Sequence, residues 1–139
     1  MRWRWRRGQA LVEFALIAPV LFLILFAIFD VGRLVYVYNN LSNSTRNGAR
    51  AGIVTLQPDP PCTPGTTTHV QCAELVTESY FTAVPDGTAV ASCDDANACA
   101  VGSVLTVTAS SQVTFLTPVI SQLLGPITVS ATTQMGVES

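Results

Sequence analysis

A run of 21 residues from Gln9 to Phe29 carries one charged side chain, that of Glu13, and it constrains the fold more than any other feature. Fourteen of these residues are Leu, Ile, Val or Phe, which together favour membrane insertion by about 4–8 kcal/mol. One carboxylate opposes insertion by only about 3 kcal/mol, and less near the membrane edge. As a helix the run is roughly 30 Å long, the thickness of a hydrocarbon core. The sequence therefore predicts a transmembrane helix from Gln9 to Phe29.

A secretory signal peptide is the main alternative for this run. Such a peptide has an apolar core of about 7–15 residues, followed by a cleavage site of small residues. The run here is longer, and no site of that kind closes it before Asp30. The sequence therefore favours a retained membrane helix.

The basic residues are confined to the amino-terminal third of the chain. All of them are arginines, at positions 2, 4, 6, 7, 33, 46 and 50, whereas seven carboxylates follow Arg50. Four arginines precede the apolar run, so the positive-inside rule predicts a cytoplasmic amino terminus and an external domain after Asp30. The chain beyond Arg50 has no Lys or Arg and cannot neutralise phosphates, so nucleic-acid binding is not expected.

Four cysteines, Cys62, Cys72, Cys93 and Cys99, follow the apolar run. An even number in a short, loop-rich segment indicates an oxidising compartment, although reduced thiols in a cytosolic domain are an alternative. Three pairings are possible. Pairing of neighbours closes short loops and is preferred, and each such bridge is worth roughly 2–3 kcal/mol.

The amino terminus resembles a known processing signal. Gly8, the four residues QALV and then Glu13-Phe14, behind a basic leader, resemble the processing site of type IV prepilins. The longer string RRGQALVEFALIAPVLFLILFAIFDVGRL resembles the start of TadE-like pseudopilins of the Tad (tight adherence) pilus system. More weakly, the ending VTFLTPVISQLLGPITVSATTQM also resembles these chains.

The resemblance implies a function. A prepilin peptidase would cleave after Gly8, where extended backbone without a side chain suits a peptidase, and Gln9 would become the new terminus. Glu13 would then be the fifth mature residue. Implied partners are this peptidase, other pilins or pseudopilins, platform proteins of the Tad inner membrane and lipid. The expected role is a minor pseudopilin, because major pilins of this system are typically much shorter and lack such a domain.

Glu13 has a physical reason to be retained in this setting. It lies four residues from Gln9, about 6 Å along the helix axis. In a packed assembly, the terminal amine of a neighbouring subunit would neutralise this carboxylate and set the stagger between subunits. An uncleaved anchor with Glu13 at the membrane interface is the alternative.

The helix is predicted to continue outside the membrane to about Ile53. A stripe of residues at spacings of three and four marks its packed face: Leu34, Tyr38, Leu41, Thr45, Gly48 and Gly52. Asp30 and Arg33 are expected to form an exposed ion pair. The four prolines and the glycine of residues 56–65 end the helix, and residues 72–83 are predicted to form a short second helix. That helix is expected to place Leu75, Val76, Ser79 and Ala83 on one side.

Two segments alternate between apolar and polar residues and predict two strands, at 105–115 and 127–135. The apolar connection 117–126 is expected to dock on the long helix, with lipid or a partner as alternatives.

The predicted fold is α+β, with a long pilin-like helix, a short helix and an antiparallel sheet. Its parts are a basic leader (1–8), a transmembrane helix (9–29), an external continuation (30–55) and a small domain with cysteine loops (56–139).

The residues offer no catalytic constellation. His69 is the one histidine, in a threonine-rich stretch, and it is interpreted as a solvated loop residue. Asp94, Asp95 and Asn97 lack the spacing of a calcium loop, so a polar loop clipped by Cys93 and Cys99 is preferred. The sequence predicts a single-pass protein of the bacterial inner membrane, without enzyme activity, metal or cofactor, which enters a pilus in some states. A pilus-tip adhesin or an uncleaved envelope protein remains an alternative.

Overall fold

The computed structural model describes residues 3–54, 62, 68–82, 84, 86–94, 99–117, 121–122 and 125–137, and it describes side chains from Gly8 onward. Within these residues the elements follow in the order α1 (Trp3–Ile53), α2 (His69–Ser79), β1 (Thr88–Cys93), β2 (Val104–Val113) and β3 (Ile127–Gly136). The predicted α+β class with a long amino-terminal helix and an antiparallel sheet is confirmed.

Helix α1 is 51 residues long and contains Pro19. It begins at Trp3, within the basic leader and six residues before the predicted membrane span. The four prolines expected to end it lie outside the described residues, and α1 stops at Ile53 as predicted. At about 1.5 Å per residue it extends for roughly 75 Å, of which the last 20 residues or so pack against the domain.

Helix α2 begins and ends earlier than predicted. The Thr68 side chain accepts from the Gln71 amide, and the Gln71 side chain accepts from the Thr68 amide, which together form a capping box. This cap starts the helix at His69. Its buried residues are Cys72, Ala73 and Thr77. The side predicted from the sequence is not the buried one: Leu75 is 43% exposed, Ser79 is exposed and Val76 is half-buried, while Ala83 lies outside the described residues.

The sheet has three strands in the order β1-β2-β3, with both neighbouring pairs antiparallel. β2 and β3 are joined in the register Val104↔Gly136 to Val113↔Ile127. Strand β1 was not predicted, although it follows the Asp86-Gly87 turn and alternates in a similar way. Its outward-facing Ala91 amide donates to the Glu74 carboxylate of α2 at 2.9 Å, so a helix side chain protects this edge.

The core forms two layers between α1 and the sheet. Near the middle of α1, Val37 and Leu41 pack with Ala109 and Val113. Near its end, Ala49 packs with Leu105 and Val107. Strand β2 therefore runs back along α1, so that the residues after β2 lie beside the start of the external part of the helix and the turn before β2 lies at the far end.

The predicted stripe on α1 is largely correct, with one exception. Leu41, Thr45, Gly48 and Gly52 are buried and Leu34 is half-buried. Tyr38, however, is 50% exposed, and Val37 occupies the core in its place. A helix has 3.6 residues per turn, so the choice between these adjacent positions depends on which way the sheet packs, and spacing alone does not fix it.

Candidate functional site

The residues predicted for processing lie on one exposed stretch of α1. Gly8, Gln9, Glu13 and Phe14 are all exposed, and Phe14 exposes 66% of its surface. A methyl group added at Gly8 would meet no heavy atom within 4 Å. Gly8 is helical in the isolated chain, whereas cleavage requires extended backbone. A peptidase would have to unwind this turn, and glycine lowers that cost because it disfavours helix by about 1 kcal/mol relative to alanine.

Glu13 has no partner within the described part of the chain. No hydrogen bond or ion pair joins it to another described residue. Leu11, Phe14, Leu16 and Ile17 around it are 57–71% exposed. A charged group surrounded by apolar side chains is stable only near water or beside an opposite charge from another molecule.

Between Glu13 and Asp30 the surface of α1 is apolar on all sides. Between Gly8 and Ile53 the helix is long and apolar enough to cross a membrane, and its most apolar stretch is not buried against the rest of the protein. The large apolar residues from Leu11 to Phe29 are each 42–72% exposed. This helix therefore requires apolar cover from outside the chain, either lipid or other helices.

The first charged residue after the apolar run holds the carboxy-terminal domain onto the helix. Asp30 is only 5% exposed. One of its oxygens accepts from the Leu116 amide at 2.9 Å, and the other accepts from the Thr117 amide at 3.1 Å and the Thr117 hydroxyl at 2.6 Å. We call this arrangement the Asp30 latch. It fixes the turn after β2 to the point where α1 leaves its apolar stretch.

The electrostatics of the latch favour an ionised carboxylate. The hydrogen bond from the Thr117 hydroxyl, followed by that from the Leu116 amide, lowers the pKa of Asp30 below its ordinary value of 3.8. Burial acts in the opposite direction, and the Thr117 amide and the Arg33 charge add to the lowering. A carboxylate with three donors is satisfied without water, which allows it to lie beside an apolar surface.

Arg33 does not form the exposed ion pair predicted with Asp30. Its guanidinium donates instead to the Thr114 carbonyl at 3.2 Å. Both charged residues at this level of α1 therefore bind the same turn after β2. The apolar connection 117–126 was expected to dock on the long helix, and Thr117 does so. Of its remaining residues, 118–120 and 123–124 lie outside the described residues.

Helices α1 and α2 approach closely at two glycines. A Cβ at Gly48 would overlap the Thr77 hydroxyl and lie 2.6 Å from the Ala73 carbonyl oxygen, and one at Gly52 would lie 2.9 Å from the Ala73 Cβ. The His69 ring nitrogen Nδ1 lies 2.7 Å from the Gly52 carbonyl oxygen. The interpretation of His69 as a solvated loop residue is therefore wrong. It starts α2 and binds that helix to the end of α1.

The cysteines form two disulfides, Cys62–Cys72 and Cys93–Cys99, with Cα–Cα distances of 5.1 and 5.5 Å. This is the neighbour pairing that the sequence analysis preferred. The first bridge ties residue 62 to α2, and the second closes the loop after β1. Asp94 also holds this loop, because its carboxylate accepts from the Val104 amide at 2.8 Å.

No cluster of three or more histidine, cysteine or carboxylate side chains that would suit a metal occurs among the residues that the structure describes. Asp95 and Asn97, the other residues of the weak calcium hypothesis, lie outside them. The prediction that the chain is not an enzyme stays a prediction.

Sequence reasoning missed the role of Asp30. Its partners are 86 and 87 residues away in the chain, so no local spacing identifies them. One signal was available. A carboxylate placed directly at the end of an apolar run must either reach water or accept hydrogen bonds from the protein. Arg33 was not the only residue that could donate them.

Comparison with known families supports the resemblance at the amino terminus. Residues 8–50 match the family model described as TadE, TadE-like protein. The match begins at the predicted cleavage residue and ends just before α1 does, and it covers somewhat less than a third of the 139 residues. The weaker resemblance suggested for the carboxy-terminal strands lies outside it. No curated protein and no solved structure matches the chain. The prediction of a TadE-like amino terminus is confirmed.

Proposed function

We propose, from the TadE-like character of residues 8–50, that this protein is a minor pseudopilin that takes part in assembling a Tad/Flp-type pilus. The family match indicates involvement in Tad pilus systems. The observation that carries the finer proposal is the combination of an exposed Glu13, without a partner among the described residues, with an apolar helix that continues directly into a folded domain. A subunit that assembles through its helix requires both features.

Processing is proposed to occur between Gly8 and Gln9. Cleavage there removes the arginines at positions 2, 4, 6 and 7 and leaves one α-amino group at the start of the apolar helix. The open surroundings of Gly8 support access by a membrane-embedded prepilin peptidase. Loss of the four arginines also removes the charges that would hold this end of the helix at the cytoplasmic face.

The new terminus is proposed to neutralise Glu13 of a neighbouring subunit. Within one chain the amine of Gln9 and the Glu13 carboxylate are separated by about 6 Å along the helix axis. A neighbour displaced axially by about that distance brings its amine level with Glu13, in a medium of low dielectric. An unpaired carboxylate there is strongly disfavoured, so the pair selects one axial stagger among many.

The protein is proposed to lie in the bacterial inner membrane with its amino terminus in the cytoplasm. The arginine asymmetry supports this orientation, and two disulfides in the domain agree with an oxidising exterior. Its proposed partners are prepilin peptidase, other pilins or pseudopilins and the platform proteins of the Tad inner-membrane machinery. A pilus-tip adhesin has the same topology and is the second candidate.

Deletion of the gene, followed by complementation, tests this function. If the protein acts in assembly, electron microscopy of the deletion strain will show no pili, and the wild-type gene will restore them. We expect Glu13→Gln to be cleaved and inserted but to restore few pili, because it removes the charge and keeps the shape. Normal pili with weak attachment would support the adhesin instead. No change in either property would leave only an uncleaved envelope protein.

A further inference from the structure

The turn after β2 lies at the depth where α1 leaves the membrane. Asp30 follows Phe29, the last residue of the predicted span, and is about 1.5 Å further along the axis. A bilayer is about 40–45 Å thick with its headgroups and about 30 Å without them, so each headgroup layer is roughly 5–7 Å deep. Residues 30 to about 33 of an upright helix therefore lie within that layer.

The Asp30 latch brings Leu116 to the same depth. The Leu116 amide is 2.9 Å from the Asp30 carboxylate, and Arg33 binds the Thr114 carbonyl one helical turn further out. Leu116 nevertheless exposes 68% of its surface, and Phe29 beside the latch exposes 72%. An exposed leucine of the domain therefore lies at the level where the apolar surface of the span ends.

We infer that the turn after β2 rests in the headgroup layer of the bilayer and that Leu116 contacts lipid. The inference depends on the proposed membrane span. Lipid is the occupant because Leu116 is exposed at the level where the surface that must already be covered along residues 9–29 ends, and Phe29 at that end is exposed too. The latch makes the contact possible, since it places a leucine at this depth and satisfies the nearby carboxylate without water.

This contact restricts how the domain sits on the membrane. The domain is joined to the membrane by α1 and would touch it a second time at Leu116. Two contacts fix both its tilt and its rotation about the helix, whereas one helix alone leaves the rotation free. The domain would therefore present a fixed side to neighbouring subunits before any of them binds.

Tryptophan fluorescence in vesicles tests the inference with the full chain. Trp3 and Trp5 are the native tryptophans and are replaced with phenylalanine. Into this background Leu116→Trp is introduced, and the protein is reconstituted in phosphatidylcholine–phosphatidylglycerol vesicles whose acyl chains are brominated near the headgroup. Val101→Trp is the matched control, because Val101 is 69% exposed but lies at the far end of the domain. Strand β2 separates the two sites by about 30 Å.

We expect Leu116→Trp to lose most of its emission and shift to shorter wavelength, while Val101→Trp keeps its intensity. Phe115→Trp is a second reporter in the same turn, in case the first variant unfolds. Leu21→Trp, in the middle of the span, tests the membrane helix itself in matching vesicles whose acyl chains are brominated near their ends. Quenching at position 21 without quenching at 115 or 116 would overturn the inference and leave the span intact. Equal quenching at 101 and 116 would also overturn it. No quenching at position 21 would overturn the span, and the inference with it.

Discussion

Replacing Gly48 with alanine is expected to destabilise the carboxy-terminal domain by up to about 2 kcal/mol. The added methyl group would overlap the Thr77 hydroxyl and lie 2.6 Å from a backbone oxygen of α2, and backbone cannot rotate away as a side chain can. Overpacking of this kind costs about 1–3 kcal/mol, or occasionally more. Alanine gains about 1 kcal/mol over glycine in a helix, which offsets only part of this loss when the cost is at the upper end.

Gly32→Ala is the matched control in the same helix. A Cβ at Gly32 meets nothing within 4 Å, so only the gain in helix propensity remains, and stability should rise by up to about 1 kcal/mol. Thermal unfolding of the full chain in detergent micelles, followed by near-ultraviolet circular dichroism, measures both variants. If Gly48→Ala and Gly32→Ala shifted the unfolding temperature in the same direction and by the same amount, α1 and α2 would not approach each other as described.

Breaking the Asp30 latch is the second large effect expected. Thr117→Val removes the hydroxyl that donates to the carboxylate but keeps the side-chain shape, and loss of this hydrogen bond to a charged group should lower the unfolding midpoint of the domain. Thr117→Ser keeps the hydroxyl and should lose much less. Hydrogen exchange at residues 114–117 reads the latch directly, and we expect faster exchange in Thr117→Val alone.

The latch should also give stability a dependence on acid pH. The folded pKa of Asp30 is lowered below 3.8, so the ionised form is favoured by folding. The contribution of the Asp30 carboxylate to the free energy of unfolding is therefore complete above pH 3.8, the unfolded pKa. It is lost as pH falls through the lower pKa of the folded state. The difference in unfolding midpoint between wild type and Asp30→Asn should be constant from neutral pH to about 4 and shrink below it. A difference that stays constant to the lowest pH would mean that Asp30 is not held by these donors.

Local patterns identified the elements whose stability is mainly local. The apolar run gave the first half of α1, and strict alternation gave β2 and β3, because burial of one face imposes a period of two. Strand β1 was missed because it has only six residues, directly after a turn. Helix α2 was placed three residues late because its start depends on the reciprocal hydrogen bonds of Thr68 and Gln71, and the apolar pattern does not register these.

Features that depend on distant contacts could not be found in this way. Asp30 was predicted to pair with Arg33 because that residue lies one helical turn away. Its hydrogen-bond donors come instead from the turn after β2, 86 residues later in the chain. Val37 replaces Tyr38 in the core because the sheet approaches α1 from that side. His69 was predicted to be solvated because it follows three threonines, yet its ring contacts the Gly52 carbonyl oxygen at the end of α1. In each case tertiary packing decided between local options of similar quality.

The central claim is that the chain is cut after Gly8 and continues in the membrane as a subunit that begins at Gln9. Intact mass spectrometry of the protein purified from cells with and without the prepilin peptidase tests it most directly. With the peptidase, the account predicts a mass that lacks residues 1–8 and has four fewer hydrogens than the fully reduced chain, because of two disulfides. Without the peptidase, it predicts that the leader is retained. A leader present in both strains would contradict the account.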